Sequence, residues 1–318
     1  MNESYSWVGK KVVILGGSGF LGGLCRRYFR GNGAQVVVIS RRCPEALDTG
    51  IDGTRDWVDW NDGPETWSRV LDGADAVINL VGRSVNCRKT PAHCDEILRS
   101  RVESVRHLAQ ALQPLGKCPP VWIQAGTAHI YGDPPDVRVD DNAAIGWGFA
   151  PFVGQAWERA FFEHLPPIMR GVILRTSFVL DRDAGPLPVL VRLAKCGLGG
   201  RAGHGRQGFS WIHASDFVAI VARAIRDTSL SGTLNVTAPE PVSQAEFMRT
   251  LRAVLKIPLG LPAPSLAVRM GARWLLNTDP ELVLEGRYVV PSKLLAAGYV
   301  FQHAQLRTAL AKELARNI

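Results

Sequence analysis

Short, β-branched apolar segments alternate with helical patterns over the first 180 residues and limit the folds open to this chain. The first segment, Lys11–Leu15, is too short and too rich in valine and isoleucine for a helix. Similar segments follow at 35–39, 75–81, 121–125 and 172–176, with helical patterns at 19–29, 91–112 and 155–164. Apolar strands that alternate with helices form parallel sheets covered on both faces. Since crossovers are right-handed, the sequence predicts an α/β fold with a doubly wound parallel sheet.

A glycine-rich loop joins the first predicted strand to the first predicted helix. Gly16, Gly19 and Gly22 give this loop the spacing G-x-x-G-x-x-G. Glycine lets backbone N–H groups approach a pyrophosphate with no Cβ in the way, and the helix N-terminus adds partial positive charge. The alternative is a glycine-rich turn that binds nothing. The position between strand and helix favours a nucleotide site, which we assign to Gly16, Ser18, Gly19, Phe20, Leu21 and Gly22.

The residues after the second predicted strand bear on the type of nucleotide. Ser40, Arg41 and Arg42 follow that strand, and none of them is acidic. Proteins that prefer NAD usually carry Asp or Glu there to bind the ribose 2′-hydroxyl. A hydroxyl and two guanidinium groups suit a 2′-phosphate instead, because arginine forms short charge-assisted hydrogen bonds to phosphate. Against the alternative of two solvated arginines, we predict NADP(H), bound in part by Ser40, Arg41 and Arg42.

Further motifs resemble those of the extended short-chain dehydrogenase/reductase superfamily, and more narrowly its atypical, epimerase-like branch. They are Asn79-Leu-Val-Gly82, Gly205-Arg-Gln-Gly-Phe-Ser-Trp-Ile-His213, Asn235-Val-Thr-Ala-Pro-Glu-Pro-Val242, and the segments 281–287 and 291–298, which resemble the branch's C-terminal domain of unknown function. The resemblance implies a Rossmann-type fold, a nicotinamide cofactor and a C-terminal substrate lobe. It also implies that Asp59 reads the adenine amino group and that Leu80, Val81 and Gly82 lie along the adenosine.

The chain departs from this superfamily at its acid–base pair. The usual pair is Tyr-x-x-x-Lys, but none of the five tyrosines is followed four residues later by lysine. The expected positions of the pair fall near Ala150 and Gly154, and the strand-end serine of the superfamily corresponds to Gly126 or Thr127. Because the branch itself commonly lacks the lysine, the resemblance implies a different site and not a damaged one.

Hydroxyl and imidazole groups follow the strand that would end at this site. Thr127 and Tyr131 lie just beyond the segment 121–125, at the edge where doubly wound sheets bind ligands. We predict that these two hydroxyls are catalytic and polarise a carbonyl; the alternatives are a turn residue and a packed tyrosine. His129 is a predicted substrate contact, unless alternation along the chain turns it away.

Arginines near other strand ends are further candidates. Arg83 is a predicted substrate contact, and Arg175 is a predicted cofactor contact at the end of another strand. For both, a surface role is an equal alternative, and Lys89 is expected at the surface. His213 and Asp216 precede a helical pattern, where we expect His213 to orient loops and Asp216 to cap the helix.

The net charge of +8 is concentrated in the second half of the chain. Residues 1–159 carry 18 basic and 18 acidic side chains, whereas residues 160–318 carry 19 basic and 11 acidic ones. The stretch 184–215 is rich in glycine and contains no acidic residue. A glycine-rich loop with arginine can clamp an anion. We therefore predict that Arg206 in this stretch binds a small anionic substrate, the alternative being a solvated loop.

Other features limit location and partners. The longest uncharged run, 142–157, is too short and too interrupted to span a bilayer, and residues 1–11 lack the apolar core of a signal peptide. The six cysteines show neither a C-x-x-C pair nor zinc-ligand spacing, which predicts a cytoplasmic protein with reduced thiols and no metal site. No aromatic–basic module indicates nucleic-acid binding. Monomer and homodimer both stay open; the helix 91–112 carries Arg99, Arg101 and Arg106 on its expected exposed face.

These patterns predict two domains and leave two functions. Residues 1–182 form an NADP-binding Rossmann domain that residues 212–240 rejoin, and residues 183–318 form a smaller, mostly helical substrate domain. The first function is an NADP(H)-binding oxidoreductase or epimerase-like enzyme that acts on a small, anionic carbonyl or sugar-like substrate. The second is a non-catalytic NADPH-binding sensor or regulatory protein that has kept the fold.

Overall fold

A seven-stranded parallel sheet forms the centre of the computed structural model, which describes residues 6–43, 56–134, 137–274 and 278–315. Its strands are β1 (Lys11–Leu15), β2 (Gln35–Ser40), β3 (Trp57–Asp59), β4 (Ala76–Asn79), β5 (Val121–Thr127), β7 (Arg170–Thr176) and β11 (Gly232–Val236). They lie in the order β11-β7-β5-β4-β1-β2-β3, and every neighbouring pair is parallel. The predicted doubly wound sheet is confirmed, with its order reversing beside β1.

Helices cover both faces of this sheet. One face carries α1 (Phe20–Gly31) and α6 (Ala214–Arg226), and the other carries α2 (Gly63–Leu71), α3 (Pro91–Leu112) and α4 (Phe149–His164). Successive residues of β1 alternate between the two apolar cores, with Val12 and Ile14 in one core and Val13 and Leu15 in the other. Burial on both faces explains why the strands are continuously apolar in sequence.

The remaining elements are short strands and helices, and some of them surround a third, smaller apolar core. The short strands pair as β6 (Arg138–Val139) with β13 (Tyr288–Val289), β8 (Phe178–Leu180) with β10 (Trp211–His213), and β9 (Gly208–Phe209) with β12 (Val242–Ser243). The helices are α5 (Leu187–Lys195), α7 (Gln244–Val254), α8 (Ser265–Trp274), α9 (Glu281–Leu284), α10 (Ser292–Ala296) and α11 (Leu306–Leu314). Among the helices of the described ranges, none combines the length and apolar character needed to cross a membrane.

Residues 184–211 differ from the sequence prediction, because a nine-residue helix, α5, interrupts the expected loop. Pro186 precedes this helix, a position where its fixed φ favours a helix start. Leu187, Leu190, Val191 and Ala194 all pack into the third core and form one helical stripe. The surrounding glycines conceal this short stripe in the sequence.

The start of α6 differs as well. His213 caps the helix, since its Nδ1 accepts a hydrogen bond from the backbone N–H of Ser215 at 3.1 Å. The prediction of Asp216 as the cap was wrong. Asp216 is fully buried, and its carboxylate accepts hydrogen bonds from the backbone of Gln302 and His303 at 2.8 and 2.9 Å. Through these hydrogen bonds, Asp216 binds the C-terminal segment to the first turn of α6.

Candidate functional site

The glycine loop lies at the carboxyl end of β1, where the strand order reverses. Gly16 has a φ of +78°, and a Cβ there would lie 3.0 Å from the carbonyl carbon of Leu80. A Cβ at Gly22 would lie 2.3 Å from the carbonyl oxygen of Gly16. Ser18 in this loop is exposed, and α1 begins at Phe20 with no side-chain cap among the described residues. This backbone cradle at an uncapped helix N-terminus has the form that binds a pyrophosphate.

The other predicted cofactor contacts lie along the same edge of the sheet. Ser40 ends β2, and its hydroxyl donates a hydrogen bond to the carbonyl oxygen of Arg42 at 2.7 Å. Arg41 and Arg42 are exposed there. Asp59 ends β3 directly opposite Ser40, and its carboxylate accepts a hydrogen bond from the backbone of Asn61 at 2.9 Å. A hydroxyl, two exposed guanidinium groups and a carboxylate thus occupy the edge where the adenosine half of a dinucleotide would lie.

The segment after β4 faces the glycine loop. The amide of Leu80 donates to the last carbonyl of β1 at 3.0 Å. The side chain of Asn79, buried at the end of β4, accepts a hydrogen bond from the amide of Val81 at 3.1 Å. A Cβ at Gly82 would lie 3.3 Å from the guanidinium carbon of Arg101. Leu80, Val81 and Gly82 are therefore held next to the loop, and Arg101 underlies the end of this segment.

A cavity of about 270 Å³ opens at the carboxyl end of β5. Its walls come from the end of β5, from α3 and the loop before it, from the first turn of α4, and from the segment around α9. Its polar lining includes Lys89, Arg101, Thr127, His129, Asp279, Glu281, Glu285 and Arg287.

The positions of the missing Tyr-x-x-x-Lys pair lie at this cavity. Ala150 lines it, and a Cβ at Gly154 would lie 3.0 Å from Cγ1 of Ile130, a close contact that Ile130 would have to yield to. Of the two candidates for the strand-end hydroxyl, a Cβ at Gly126 would lie 2.7 Å from a side chain of β7, whereas Thr127 lines the cavity. Thr127 is therefore the residue of the two that lies at the cavity.

Thr127 and His129 bring a hydroxyl and an imidazole together in the cavity. The Thr127 Oγ1 accepts a hydrogen bond from the backbone N–H of His129 at 3.1 Å and lies 3.4 Å from its Nδ1. Burial, together with the positive charges of Arg287 and Lys89, holds the pKa of His129 well below 6.5. His129 is consequently neutral at pH 7 and can accept a proton.

Tyr131 and Arg175 belong to a buried network outside the cavity lining. The Nε and Nη2 of Arg175 donate to the two carboxylate oxygens of Glu158, each at 2.8 Å. Its Nη1 donates to the hydroxyl of Tyr131 at 2.8 Å, and that hydroxyl donates to Oδ1 of Asn235 at 2.8 Å. Catalysis by Tyr131 and cofactor binding by Arg175 stay predictions, but this geometry favours a structural role for both.

Tyr131→Phe tests that role. The substitution leaves two buried polar partners without the hydroxyl, so we expect it to lower the free energy of unfolding by about 1–3 kcal/mol. We expect NADPH affinity and any turnover to change by less than about threefold, which corresponds to under about 1 kcal/mol. Urea denaturation and cofactor titration measure the two effects. Tyr288→Phe, which removes a hydroxyl from an exposed hydrogen bond, is the matched control. A large loss of turnover at unchanged stability would restore Tyr131 to catalysis.

The remaining predicted cations are placed differently. Arg83 forms an ion pair with Glu96, and Arg206 is exposed; neither lines the cavity. Their assignment to the substrate stays a prediction. The expectation for Lys89 was wrong, because it lines the cavity and pairs with Asp279 at 3.1 Å.

Two arginines of the cavity were not predicted from the sequence as site residues. Arg101 is not on an exposed face: its Nη1 donates to the carbonyl of Ile97 at 2.8 Å, and its guanidinium lies 5.1 Å from the ring centre of Trp157. Arg287 is buried in the C-terminal segment. Burial lowers the pKa of each to about 10, so both carry a charge at pH 7. The helical spacing of Ile97, Arg101 and Val105 could have indicated the first, but no pattern marks Arg287.

The fold and the loop define a Rossmann-type α/β protein with a dinucleotide-binding cradle and a ligand cavity at the carboxyl edge of the sheet. The NAD dependent epimerase/dehydratase family matches residues 12–146, and the family "Domain of unknown function (DUF1731)" matches residues 263–313. The epimerase family protein ML0860 of Mycobacterium leprae is 33% identical over 302 residues, covering 94% of each chain. The epimerase family protein SDR39U1 of Mus musculus is 32% identical over 311 residues, covering 94% of this chain and 98% of its own.

Solved structures agree with these matches. The human epimerase family protein SDR39U1 (isoform 2) with NADPH superposes with a TM-score of 0.84 at 27% identity, over 97% of this chain and 100% of that one. A nucleoside-diphosphate sugar epimerase from Corynebacterium glutamicum gives a TM-score of 0.75 at 28% identity, over 96% of this chain and 58% of that one. This chain belongs to the epimerase family, in the atypical branch of the short-chain dehydrogenases/reductases that carries the DUF1731 domain.

Proposed function

We propose that this protein is an NADP(H)-dependent oxidoreductase or epimerase-like enzyme that acts on a small anionic carbonyl or hydroxyl compound. The observation that carries the proposal is the cavity at the carboxyl end of β5, which is lined by Thr127, His129 and two arginines, Arg101 and Arg287. A concave site with convergent polar groups and a histidine of perturbed pKa is typical of catalysis. The cavity is contiguous with the cofactor edge through Arg101, which lies against Gly82.

NADP(H) fits the residues along this edge. The cradle around Gly16, Gly19 and Gly22 would hold the pyrophosphate, and Arg41 and Arg42 would hold the 2′-phosphate. The human relative named above was crystallised with NADPH, which supports the same cofactor here. The predicted division into a cofactor domain over 1–182 with 212–240 and a substrate domain over 183–318 is part of this proposal.

The residues of the cavity would supply the proton chemistry. NADPH supplies a hydride to a carbonyl carbon, and NADP⁺ accepts one in the reverse direction. In oxidation, the neutral imidazole of His129 takes the hydroxyl proton of the substrate, directly or through the Thr127 hydroxyl. In reduction, the same pair returns a proton to the carbonyl oxygen. A tyrosine activated by a lysine is not needed for either direction.

The double substitution Arg41→Ala/Arg42→Ala tests the cofactor preference. Loss of the charge-assisted bonds to the 2′-phosphate should weaken NADPH binding by about 10- to 100-fold and leave NADH binding nearly unchanged. Quenching of protein fluorescence or calorimetry measures both dissociation constants. Arg159→Ala, which removes an exposed charge on α4, is the control. Tighter binding of NADH than of NADPH by the unaltered protein would contradict the proposal.

A non-catalytic NADPH sensor is the second candidate, favoured by the absence of the Tyr-x-x-x-Lys pair. A panel of aldehydes, ketones, 2-oxo acids and nucleotide sugars, followed at the nicotinamide absorbance, separates the two functions. Turnover that depends on Thr127 supports the enzyme. NADPH binding without turnover of any of these compounds supports the sensor.

A further inference from the structure

We propose that Arg287 anchors a carboxylate of the substrate, so that the cavity takes a small 2-oxo or 2-hydroxy acid. This inference rests on the proposed function and specifies its substrate class. Arg287 comes from the C-terminal segment, far in sequence from the Thr127–His129 pair, and the fold brings all three into one cavity.

Two of the three guanidinium nitrogens of Arg287 are buried without a hydrogen-bond partner among the described residues. Only 5% of the residue is exposed, and its Nε and Nη1 are buried with no hydrogen-bond acceptor among the described residues. The negative charges of Glu285 and Asp133 act to raise the pKa of Arg287, but neither residue forms an ion pair or hydrogen bond with it. An unpaired buried charge costs several kcal/mol, so folded proteins seldom retain one without a ligand. A carboxylate in the cavity would satisfy these N–H groups.

The position of Arg287 is fixed by its backbone. Its amide donates to the carbonyl of Gly208 at 2.9 Å, and its carbonyl accepts from the hydroxyl of Ser210 at 2.7 Å. The amide of Gly286 donates to Asp133 at 2.7 Å. A Cβ at Gly208 would lie 2.3 Å from the carbonyl carbon of Arg287, so the two segments are in direct backbone contact. The glycine-rich motif 205–213 thus positions Arg287, whereas Arg206 itself stays exposed.

The charged side chains that line the cavity differ in how exposed they are and in whether they form an ion pair. Glu281 and Glu285 are exposed residues of the cavity lining. Lys89 is already paired with Asp279. Arg287, in contrast, is buried and Arg101 is half-buried, and neither cation forms an ion pair with any described residue. The interior therefore favours an anion even though the lining also carries exposed acidic groups.

The neighbours of Arg287 define the rest of the substrate. Arg287, Thr127 and His129 line the same cavity, so a carboxylate on Arg287 would place the adjoining carbon on the side of the Thr127–His129 pair. In reduction, the hydride of NADPH adds to the C2 carbonyl carbon. The electron pair of the C=O π bond moves to oxygen, and this oxygen takes a proton from the Thr127–His129 pair. The 2-oxo acid becomes a 2-hydroxy acid, and NADPH becomes NADP⁺. A cavity of about 270 Å³ fits such a compound better than a nucleotide sugar.

Calorimetry on the full chain saturated with NADP⁺, where no reduction can follow, tests the anchor. The probes are 2-oxobutanoate, its neutral amide and inorganic phosphate, titrated into the unaltered protein, Arg287→Met and the control Arg307→Met on the exposed face of α11. We expect the acid to bind the unaltered protein and Arg307→Met at least tenfold more tightly than the amide. Arg287→Met should lose that difference and keep its NADP⁺ affinity. Its melting temperature should stay equal or rise, since an unpaired buried cation is removed.

Other outcomes overturn the inference. These are equal binding of acid and amide, acid binding unchanged in Arg287→Met, a preference for phosphate over the acid, or a clear fall in the melting temperature of Arg287→Met. Failure of NADP⁺ to bind the unaltered protein contradicts the proposed function instead. The same probes titrated into the cofactor-free chain then still show whether a carboxylate depends on Arg287.

Discussion

Gly22→Ala is expected to abolish tight NADPH binding, raising the dissociation constant by at least about 100-fold, or about 2.7 kcal/mol. The added Cβ would lie 2.3 Å from the carbonyl oxygen of Gly16 and 2.6 Å from the Cα of Gly17. These are backbone atoms of the loop itself, so no side chain can rotate away. Helix α1 must withdraw from β1, and the amides that face the pyrophosphate separate from it.

Gly23→Ala provides a matched control in the same turn of the same helix. There the nearest atom to a new Cβ is the end of the Arg27 side chain at 3.6 Å, an ordinary contact. Alanine also favours the helix over glycine, so this variant should bind NADPH normally and melt at the same or a higher temperature. Fluorescence titration and thermal melts measure both variants. Normal NADPH binding by Gly22→Ala would show that the loop does not hold the cofactor.

Thr127→Val and His129→Gln are each expected to lower kcat by about 100-fold or more while leaving NADPH affinity within about twofold. Both side chains line the cavity, and neither lies on the cofactor edge around the glycine loop. Thr127→Ser keeps the hydroxyl and should retain most of the activity. His164→Gln, at the end of α4 and outside the cavity lining, is the control for the histidine. Unchanged turnover in both cavity variants would remove the pair from the mechanism.

The pH dependence of turnover follows from the lowered pKa of His129. At pH values above this pKa the neutral form predominates, so oxidation, which needs a base, should be level from about pH 7 to pH 8. Reduction needs the protonated form, which becomes more abundant by about tenfold for each pH unit of acidification. The rate of carbonyl reduction should therefore rise as the pH falls towards 6, and His129→Gln should flatten this dependence. Initial rates in both directions, measured with the same substrate pair, check the prediction.

Burial of His129 also makes the free energy of unfolding depend on pH. The pKa of His129 in the folded chain lies below its value in the unfolded chain, so acidification favours the unfolded state, which binds the proton more readily. The contribution of neutral, buried His129 to the free energy of unfolding is fully present above about pH 6.5, the pKa of the unfolded chain. It is lost as the pH falls below this value. Rate measurements at low pH therefore need a parallel measurement of the folded fraction.

The parallel sheet and the nucleotide loop could be predicted from the sequence alone, because each depends on local rules. Strands such as β1 are apolar along their length when both faces are buried. The positive φ of Gly16 is a local requirement for glycine, and a Cβ at Gly22 would meet the backbone of Gly16 six residues away. The helix predicted at 91–112 has the same bounds in the structure, since its apolar spacing and its proline at the start are also local features.

The residues that line the cavity, in contrast, could not be predicted before the packing of distant segments was known. Tyr131 follows the same strand as Thr127, yet its hydroxyl turns into a buried network with Arg175, Glu158 and Asn235. Arg287 enters the cavity because Gly208 and Ser210 bind its backbone from a segment almost eighty residues earlier. Such contacts depend on how distant segments pack and on which buried charges find a partner, and neither leaves a periodic pattern in the sequence.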